Sequence, residues 1–458
     1  NAIDGGESSI FKLNVSLSKA IIKNKATAIN LLCKYKSGEN SRKMETQVSL
    51  KLYSPEDYKL IDNPYVPIAD GGPVPLNSSM FFGREEFIAN IVEAITKSPS
   101  KQVIIYGQKR CGKSSVMLRL KDQLESTGKN FCVFFSLGDI IQNLTEASFY
   151  HKILSSIKDE LEDLEFNGKI SPDIQFPNVQ EFKSEDIENP LNTFTKYMRQ
   201  FKRACKLKGG WEDRNLVVMI DEFTYLYTEI KMGHISPSIM KQWKAVTQND
   251  KAQFSVVLVG QDVVPSFKKE DYARNAFGVI QDIRLTYLQE EPARALIEKP
   301  ILDENGESRY IGNAVSRIME YTSRNPYYIQ IFCARLVDFM NHNKCIKVTE
   351  ADVNDVANSF VSGEQALEED KFDNLIRAGE KEDLQEYPEA EIFAILRQIA
   401  VSSKNIGYCC IDDITILGDK KREKEIIKHL IDREVLEQKG ENNYRIQVKL
   451  FQEWLLNH

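Results

Sequence analysis

The sequence predicts an α/β protein centred on a parallel sheet with helices on both faces, and three observations carry that prediction. First, short apolar runs at residues 102–106, 130–136, 215–221, 254–260 and 280–286 alternate with longer stretches of helical periodicity. Strands apolar on both faces need cover on both sides, and the intervening helices supply the crossovers that parallel neighbours require. Second, Val103-Ile104-Ile105-Tyr106 runs directly into Gly107-Gln108-Lys109-Arg110-Cys111-Gly112-Lys113-Ser114-Ser115, and a helical pattern follows from Val116 to Leu120. Third, the apolar run Leu216 to Ile220 ends in Asp221-Glu222, which puts two carboxylates at a buried strand's tip.

Taken in order, the chain opens differently. Phe11 to Leu17, Ala28 to Tyr35 and Gln47 to Tyr53 alternate with period two, so residues 1–62 read as a small antiparallel β-unit with one buried face, part of a sandwich or packed on something else. Between Asp62 and Pro75 stand four prolines and two glycines, and residues 63–80 read as a linker with fixed bends. Phe81-Phe82-Gly83-Arg84-Glu85-Glu86 opens an amphipathic helix to about Ile95 and begins the core, residues 81–290. A long insert, 139–210, carries helices near 147–163 and 190–206. Residues 291–365 are helical, 366–386 an acidic connector, and 387–458 a compact closing unit. That unit reads as a helix from Glu391 to Ala400, a helix from Lys420 to Glu434, a hairpin from Val435 to Val448 with an Asn-rich turn, and a short helix.

Sixty basic against 67 acidic side chains give a net charge of −7, poor footing for wholesale binding to a phosphate backbone. No apolar run is long enough to span a bilayer. The N-terminus lacks a secretory pattern, and a start at Asn1 rather than Met predicts a piece of a longer protein. Eight cysteines show no C-x-x-C spacing, so free thiols in the reducing cytoplasm are expected rather than zinc ligands.

The chemistry concentrates at strand tips. A G-x-x-x-x-G-K-S loop between strand and helix wraps backbone N–H groups around a phosphate, at the positive end of a helix dipole. Residues Gly107 to Ser115 are therefore nucleotide contacts, with Lys113 reaching the outer phosphates and Ser114 placed for Mg²⁺. In a doubly wound sheet the tip bearing Asp221 and Glu222 lies beside that loop. Asp221 is then a Mg²⁺ ligand through its water shell, and Glu222 orients or deprotonates the attacking water. Gln261, ending the run Phe254 to Gly260, is either a contact to the γ-phosphate or water, or an ordinary loop start. Cys111 is either a thiolate favoured by Lys109, Arg110 and Lys113, with oxidation blocking ATP, or a small residue at a variable loop position.

Phosphate loop, acidic strand, polar strand tip and helical segment, in that order, resemble the AAA+ and STAND branch of P-loop ATPases over roughly residues 80–365. Phe81-Phe82-Gly83-Arg84-Glu85 is similar to that branch's entry motif, which implies that Phe82, Gly83 and Arg84 line an adenine pocket; plain core is the alternative for the aromatic pair. Tyr321 to Gln330 resembles the Gly-x-Pro motif of the helical lid, implying Pro326 against the adenine. Arg324 replaces the usual Gly and is either a phosphate sensor on the lid or a solvated charge. Arg274 stands where relatives carry an arginine finger acting on a neighbouring subunit; an exposed loop residue is the alternative. The closing unit looks like a winged helix. From Asp419 to Glu434 it carries six positive and five negative side chains, too balanced for a DNA-reading helix, so internal packing is favoured over DNA. The resemblance implies a slow ATPase switch using ATP, ADP and Mg²⁺. It would open or form homo-oligomers with nucleotide state and pass a signal or defence response to a protein effector. A DNA-handling ATPase of the origin-recognition or transposition-regulator kind is the rival reading.

Overall fold

The computed structural model describes residues 26–37, 40–51, 58–69, 71–169, 171–177, 190–247, 254–378 and 386–458. The alternating run expected at 11–17 lies outside them. The chain divides into two compact units, Asn1–Asp62 with Met340–Ile346, and the remainder.

In the first unit, β1 (Ala26–Ser37) pairs antiparallel with β2 (Asn40–Lys51) in a twelve-residue register from Ala26↔Lys51 to Ser37↔Asn40. Downstream, the Tyr58 hydroxyl and the Ile61 N–H both donate to Asn341 Oδ1, and Asn341 Nδ2 returns a bond to the Ile61 carbonyl.

The second unit is built on a five-stranded sheet: β3 (Gln102–Tyr106), β4 (Asn130–Ser136), β5 (Asn215–Asp221), β6 (Ser255–Gly260) and β7 (Gln281–Arg284), in the spatial order β4-β5-β6-β3-β7. Every pairing is parallel. Side chains alternate across a strand, and the burial follows that period. Ile104, Val133, Phe135, Val218, Ile220, Val256 and Leu258 enter an aromatic-rich core with the helices Glu146–Phe166, Pro190–Leu207 and Ser238–Thr247. Val103, Ile105, Cys132, Val217, Met219, Val257 and Val259 enter a second core under the helices Glu85–Lys97 and Lys113–Ser126. A strand serving two cores has no polar face to offer, which is why these runs read as continuously apolar.

Strand β6 lies between β3 and β5, so the phosphate-type loop and the acidic tip flank the end of β6 rather than adjoining each other. The helices Glu290–Glu298, Ala314–Thr322, Pro326–Asn343 and Glu350–Val361 follow. Two segments that read as connectors are packed. Tyr65 is fully buried, its hydroxyl donating to the carbonyls of Leu296 and Ile297, and in the acidic segment Phe372 and Leu375 are fully buried. Among the described residues there, Glu368, Glu369, Asp370 and Glu386 are exposed and Asp373 is half-buried.

The chain closes with the helices Glu389–Ile406, Lys420–Asp432 and Lys449–Asn457 around β8 (Cys409–Cys410), β9 (Leu436–Lys439) and β10 (Asn443–Ile446), an antiparallel sheet in the order β8-β10-β9. Asp419 caps the middle helix by accepting from the N–H groups of Lys421 and Arg422. Among the described residues no helix is long and apolar enough to cross a membrane.

Candidate functional site

The loop between β3 and the helix Lys113–Ser126 is shaped by close approaches. A Cβ on Gly107 would lie 2.4 Å from the Leu285 carbonyl oxygen, and Gly112 takes a left-handed φ of 92°, so neither position tolerates a side chain without strain. The N–H groups of Lys113 to Ser115 meet no carbonyl among the described residues. A helix start with donors in hand suits an anion. Lys113 Nζ meanwhile closes its own loop, donating to the carbonyls of Gly107 (3.1 Å) and Gln108 (2.7 Å).

Asp221 sits at the tip of β5, accepting from the Glu222 N–H at 2.8 Å and from the Ser114 hydroxyl at 3.3 Å. Burial pushes its carboxyl above the usual range, while the Glu222 N–H, Lys113 and Ser114 pull it back. A desolvated carboxylate beside a hydroxyl is an all-oxygen donor pair of the kind that suits Mg²⁺. Glu222 adopts a left-handed φ of 54°. Its carboxylate points to the tip of β4, accepting from the Ser136 hydroxyl at 2.6 Å and from the Tyr225 hydroxyl at 3.4 Å. Gly138 makes room for it: a Cβ there would lie 2.4 Å from Glu222 Oε2. Gln261 is buried at the end of β6, and Asp262 beside it is buried with neither oxygen hydrogen-bonded among the described residues. Burial raises the Asp262 carboxyl, against the pull of Arg433, Arg284 and Lys113.

A cavity with about 780 Å³ of unfilled space, part of it open to solvent, lies against the loop. Of the sequence-predicted contacts, Phe82, Arg84, Arg110, Cys111, Gly112, Lys113, Ser114, Ser115 and Pro326 line it. Gly83 acts one step back, where a Cβ would come within 2.2 Å of Pro292, and Arg84 donates to the Thr286 carbonyl. Gly107, Gln108 and Lys109 belong to the loop without lining the cavity. Asp221 reaches its edge through Ser114.

Three residues for which the sequence offers two readings have the following surroundings. Cys111 is buried, and burial raises its thiol above the ordinary range although Lys113 and Arg84 pull it down, so desolvation outweighs the neighbouring cations and disfavours the thiolate. Arg324 lines a separate polar cleft with Ser323, Lys404, Arg445 and Lys449. Its φ of 64° lies in the left-handed region that glycine adopts without steric cost. Arg274 lies outside the cavity, 68 % exposed and paired with Asp271 at 3.2 Å.

Sequence reasoning missed two groups. Ile68 and Gly71 to Val74, from the presumed linker, form a wall of the cavity. They are strapped down by the Val74 N–H donating to Ser115 Oγ and by Arg119, which donates to the carbonyls of Val74, Pro75 and Ser78 and stacks on Phe81 at 4.1 Å. The second group grips the loop from outside. Gln108 Nε2 donates to the Arg433 carbonyl at 2.5 Å, and the Tyr287 hydroxyl bonds Gln108 and the Glu434 carbonyl. Arg110 donates to the Asp370 carbonyl and stacks on Tyr327, while Lys109 lies 3.7 Å from Asp373. Arg433 is buried (3 % exposed), its guanidinium donating to the carbonyls of Asn374, Ile376 and Arg377. A local pattern carries no signal for such contacts.

Residues 81–332, more than half the chain, match the ATPase domain family described as predominantly from Archaea. The chain belongs to that ATPase family. Its fold is similar to that of the Walker-type ATPase of Pyrococcus abyssi, with a TM-score of 0.55 and 15 % identity over 84 % of this chain and 99 % of that one. It is also similar to the ORC2 protein of Aeropyrum pernix, solved in ADPNP–ADP complexes, with a TM-score of 0.52 and 12 % identity over 87 % of this chain and 97 % of that one. No curated protein sequence matches the chain. At these identities the structural likeness speaks to the fold alone, a five-stranded parallel sheet of the P-loop ATPase kind.

Proposed function

We propose that this ATPase is a nucleotide-dependent switch of the STAND type, whose slow hydrolysis times the release of its C-terminal unit. In this reading residues 81–290 are the ATPase core, 291–365 the lid, and 387–458 a winged helix formed by the two longer helices and the β9–β10 hairpin. The observation that carries it is the grip on the loop: Gln108, Lys109 and Arg110 are each engaged by residues that follow the lid, at 370–373 and 433–434. A triphosphate that draws Lys113 from the Gly107 and Gln108 carbonyls must move the residues that Arg433, Glu434 and Asp373 hold. Nucleotide state and the position of the C-terminal unit are then linked, because each biases the same loop.

Within the site, ATP lies with its phosphates on the N–H groups of Gly112 to Ser115 and its base among Phe82, Arg84 and Pro326. Ser114 and Asp221 would hold Mg²⁺, which would supply charge neutralisation at the phosphates. Glu222 orients the attacking water once it leaves Ser136, and Gln261 contacts the γ-phosphate end. The bond from Ser136 keeps Glu222 out of action at rest, consistent with a slow enzyme. A cytoplasmic protein with free thiols, passing its state to an effector or to further copies of itself, completes the reading, with signalling or defence as its setting.

The rival, a DNA-handling ATPase, has less support from the closing unit. Of the six cations from Lys420 to Arg433, Lys420 is bonded to the carbonyls of Ile411, Asp412 and Ile414, Arg422 to Glu391, and Arg433 is buried. Lys421, Lys424 and Lys428 remain for phosphates, a thin electrostatic footing.

The test compares small-angle scattering and protease sensitivity of the Glu222→Gln protein with ADP and with ATP. Glu222→Gln should hydrolyse about a hundredfold more slowly and hold ATP. ATP should then give a more open or larger species than ADP does. Identical profiles with both nucleotides would remove the switch while leaving the ATPase.

A further inference from the structure

We infer that Gln330 reads the base of the bound nucleotide and makes the cavity selective for adenine, an assignment that rests on the nucleotide reading of the cavity. Pro326 opens the helix Pro326–Asn343, and Gln330 lies one turn further along the same face. Both line the cavity. Gln330 is 6 % exposed and makes no hydrogen bond with any described residue. The neighbouring polar side chains are engaged: Arg84 with the Thr286 carbonyl, Lys113 with its own loop, Ser114 with Asp221, and Ser115 with the Val74 N–H. A largely buried amide that no described side chain or carbonyl engages, and that opens onto a cavity, is placed to bond a ligand there.

The position along the helix says which part of the ligand. Asn63 Nδ2 donates to the Ala334 carbonyl at 2.9 Å and to Asp338 Oδ1 at 3.0 Å, one and two turns beyond Gln330. The strap that begins at Asn63 therefore runs beside this helix and brings Ile68 to the same wall. Ile68, Met80, Phe82 and Pro326 give that wall apolar surface, with Arg84 beside them turned to the Thr286 carbonyl, whereas Arg110 and Lys113 line the cavity from the phosphate loop. A purine fits the apolar end, and Gln330 supplies it with one acceptor and one donor. Adenine matches that pair through its N6 amino group and the neighbouring N7, a bidentate contact; guanine offers O6 and N7, two acceptors, along the same edge.

The experiment measures binding of ATP, GTP and the 6-deamino purine ribonucleoside triphosphate by calorimetry. The unchanged protein should prefer ATP over the other two by about tenfold or more. Gln330→Met, close in volume, should bind the 6-deamino analogue as the parent does and lose the preference for ATP. Gln330→Glu, which can only accept when ionised, should weaken ATP and favour the N1 and N2 donors of guanine. A preference that survives in Gln330→Met, or is missing from the unchanged protein, overturns the assignment. A protein that binds none of the three overturns the nucleotide reading itself.

Discussion

The phosphate loop has two sides, and they are built by different means. Its inner side, Gly112 to Ser115, presents backbone donors and one lysine to the cavity, all from contiguous sequence. Its outer side, Gln108 to Arg110, is held by carbonyls and carboxylates from residues 370–373 and 433–434, some 260 to 325 positions away. The inner side determines what binds; the outer side determines what binding is felt by. A ligand site can thus be complete in a short motif while its coupling is spread over the chain.

Breaking the inner side should have the largest effect. Lys113→Ala removes the half-buried charge that faces the phosphates and should weaken ATP about a thousandfold by calorimetry, with the melting temperature nearly unchanged. Breaking the outer side should do the reverse. Arg433→Met strands the carbonyls of Asn374, Ile376 and Arg377, at a cost of about 3 kcal/mol in denaturant unfolding, yet should keep ATP affinity within a few fold. If Arg433→Met loses ATP as Lys113→Ala does, the two sides are one structure and the comparison fails.

A pH series sharpens it. His429, one turn before Arg433, is pushed down to about 3, first by burial and then by Arg433 and Lys269. Glu386 Oε2 lies 3.7 Å from it and Tyr387 packs on its ring. Because the folded pKa lies below the unfolded 6.5, the unfolded chain takes the proton first. The contribution is intact above about pH 6.5 and is lost as pH falls toward 3. Between pH 7 and pH 5 the parent should lose about 2 kcal/mol that His429→Gln does not lose, read by urea unfolding at both values. The smallest effect belongs to Arg274, outside both sides: Arg274→Ala should shift stability by less than about 0.5 kcal/mol, and hydrolysis should change only if assembly brings it to another copy's site.

How much of this was legible depended on distance along the chain. The strands β3 to β6 announced themselves because each serves two cores, and the loop because its glycines answer close approaches at Leu285 and a left-handed turn. Pairing Ser114 with Asp221 was readable from the order of strands, though β6 between them was not. The strap at Ile68 to Val74 hid because proline and glycine mark bends whether or not a bend is packed. Arg433 hid for a related reason: in a helix of mixed charge nothing local separates the one buried guanidinium from its solvated neighbours. At Cys111 the sequence left two readings open, because three neighbouring cations favour a thiolate while enclosure, which sequence does not show, disfavours it.

Glu222, a side-chain-bearing residue at φ 54°, stores about 1 kcal/mol that glycine would release. A random search for sturdier variants of this chain would therefore be drawn to Glu222→Gly, and would arrive at a more durable protein without its water-orienting acid. Robustness and turnover pull in opposite directions at this one peptide unit.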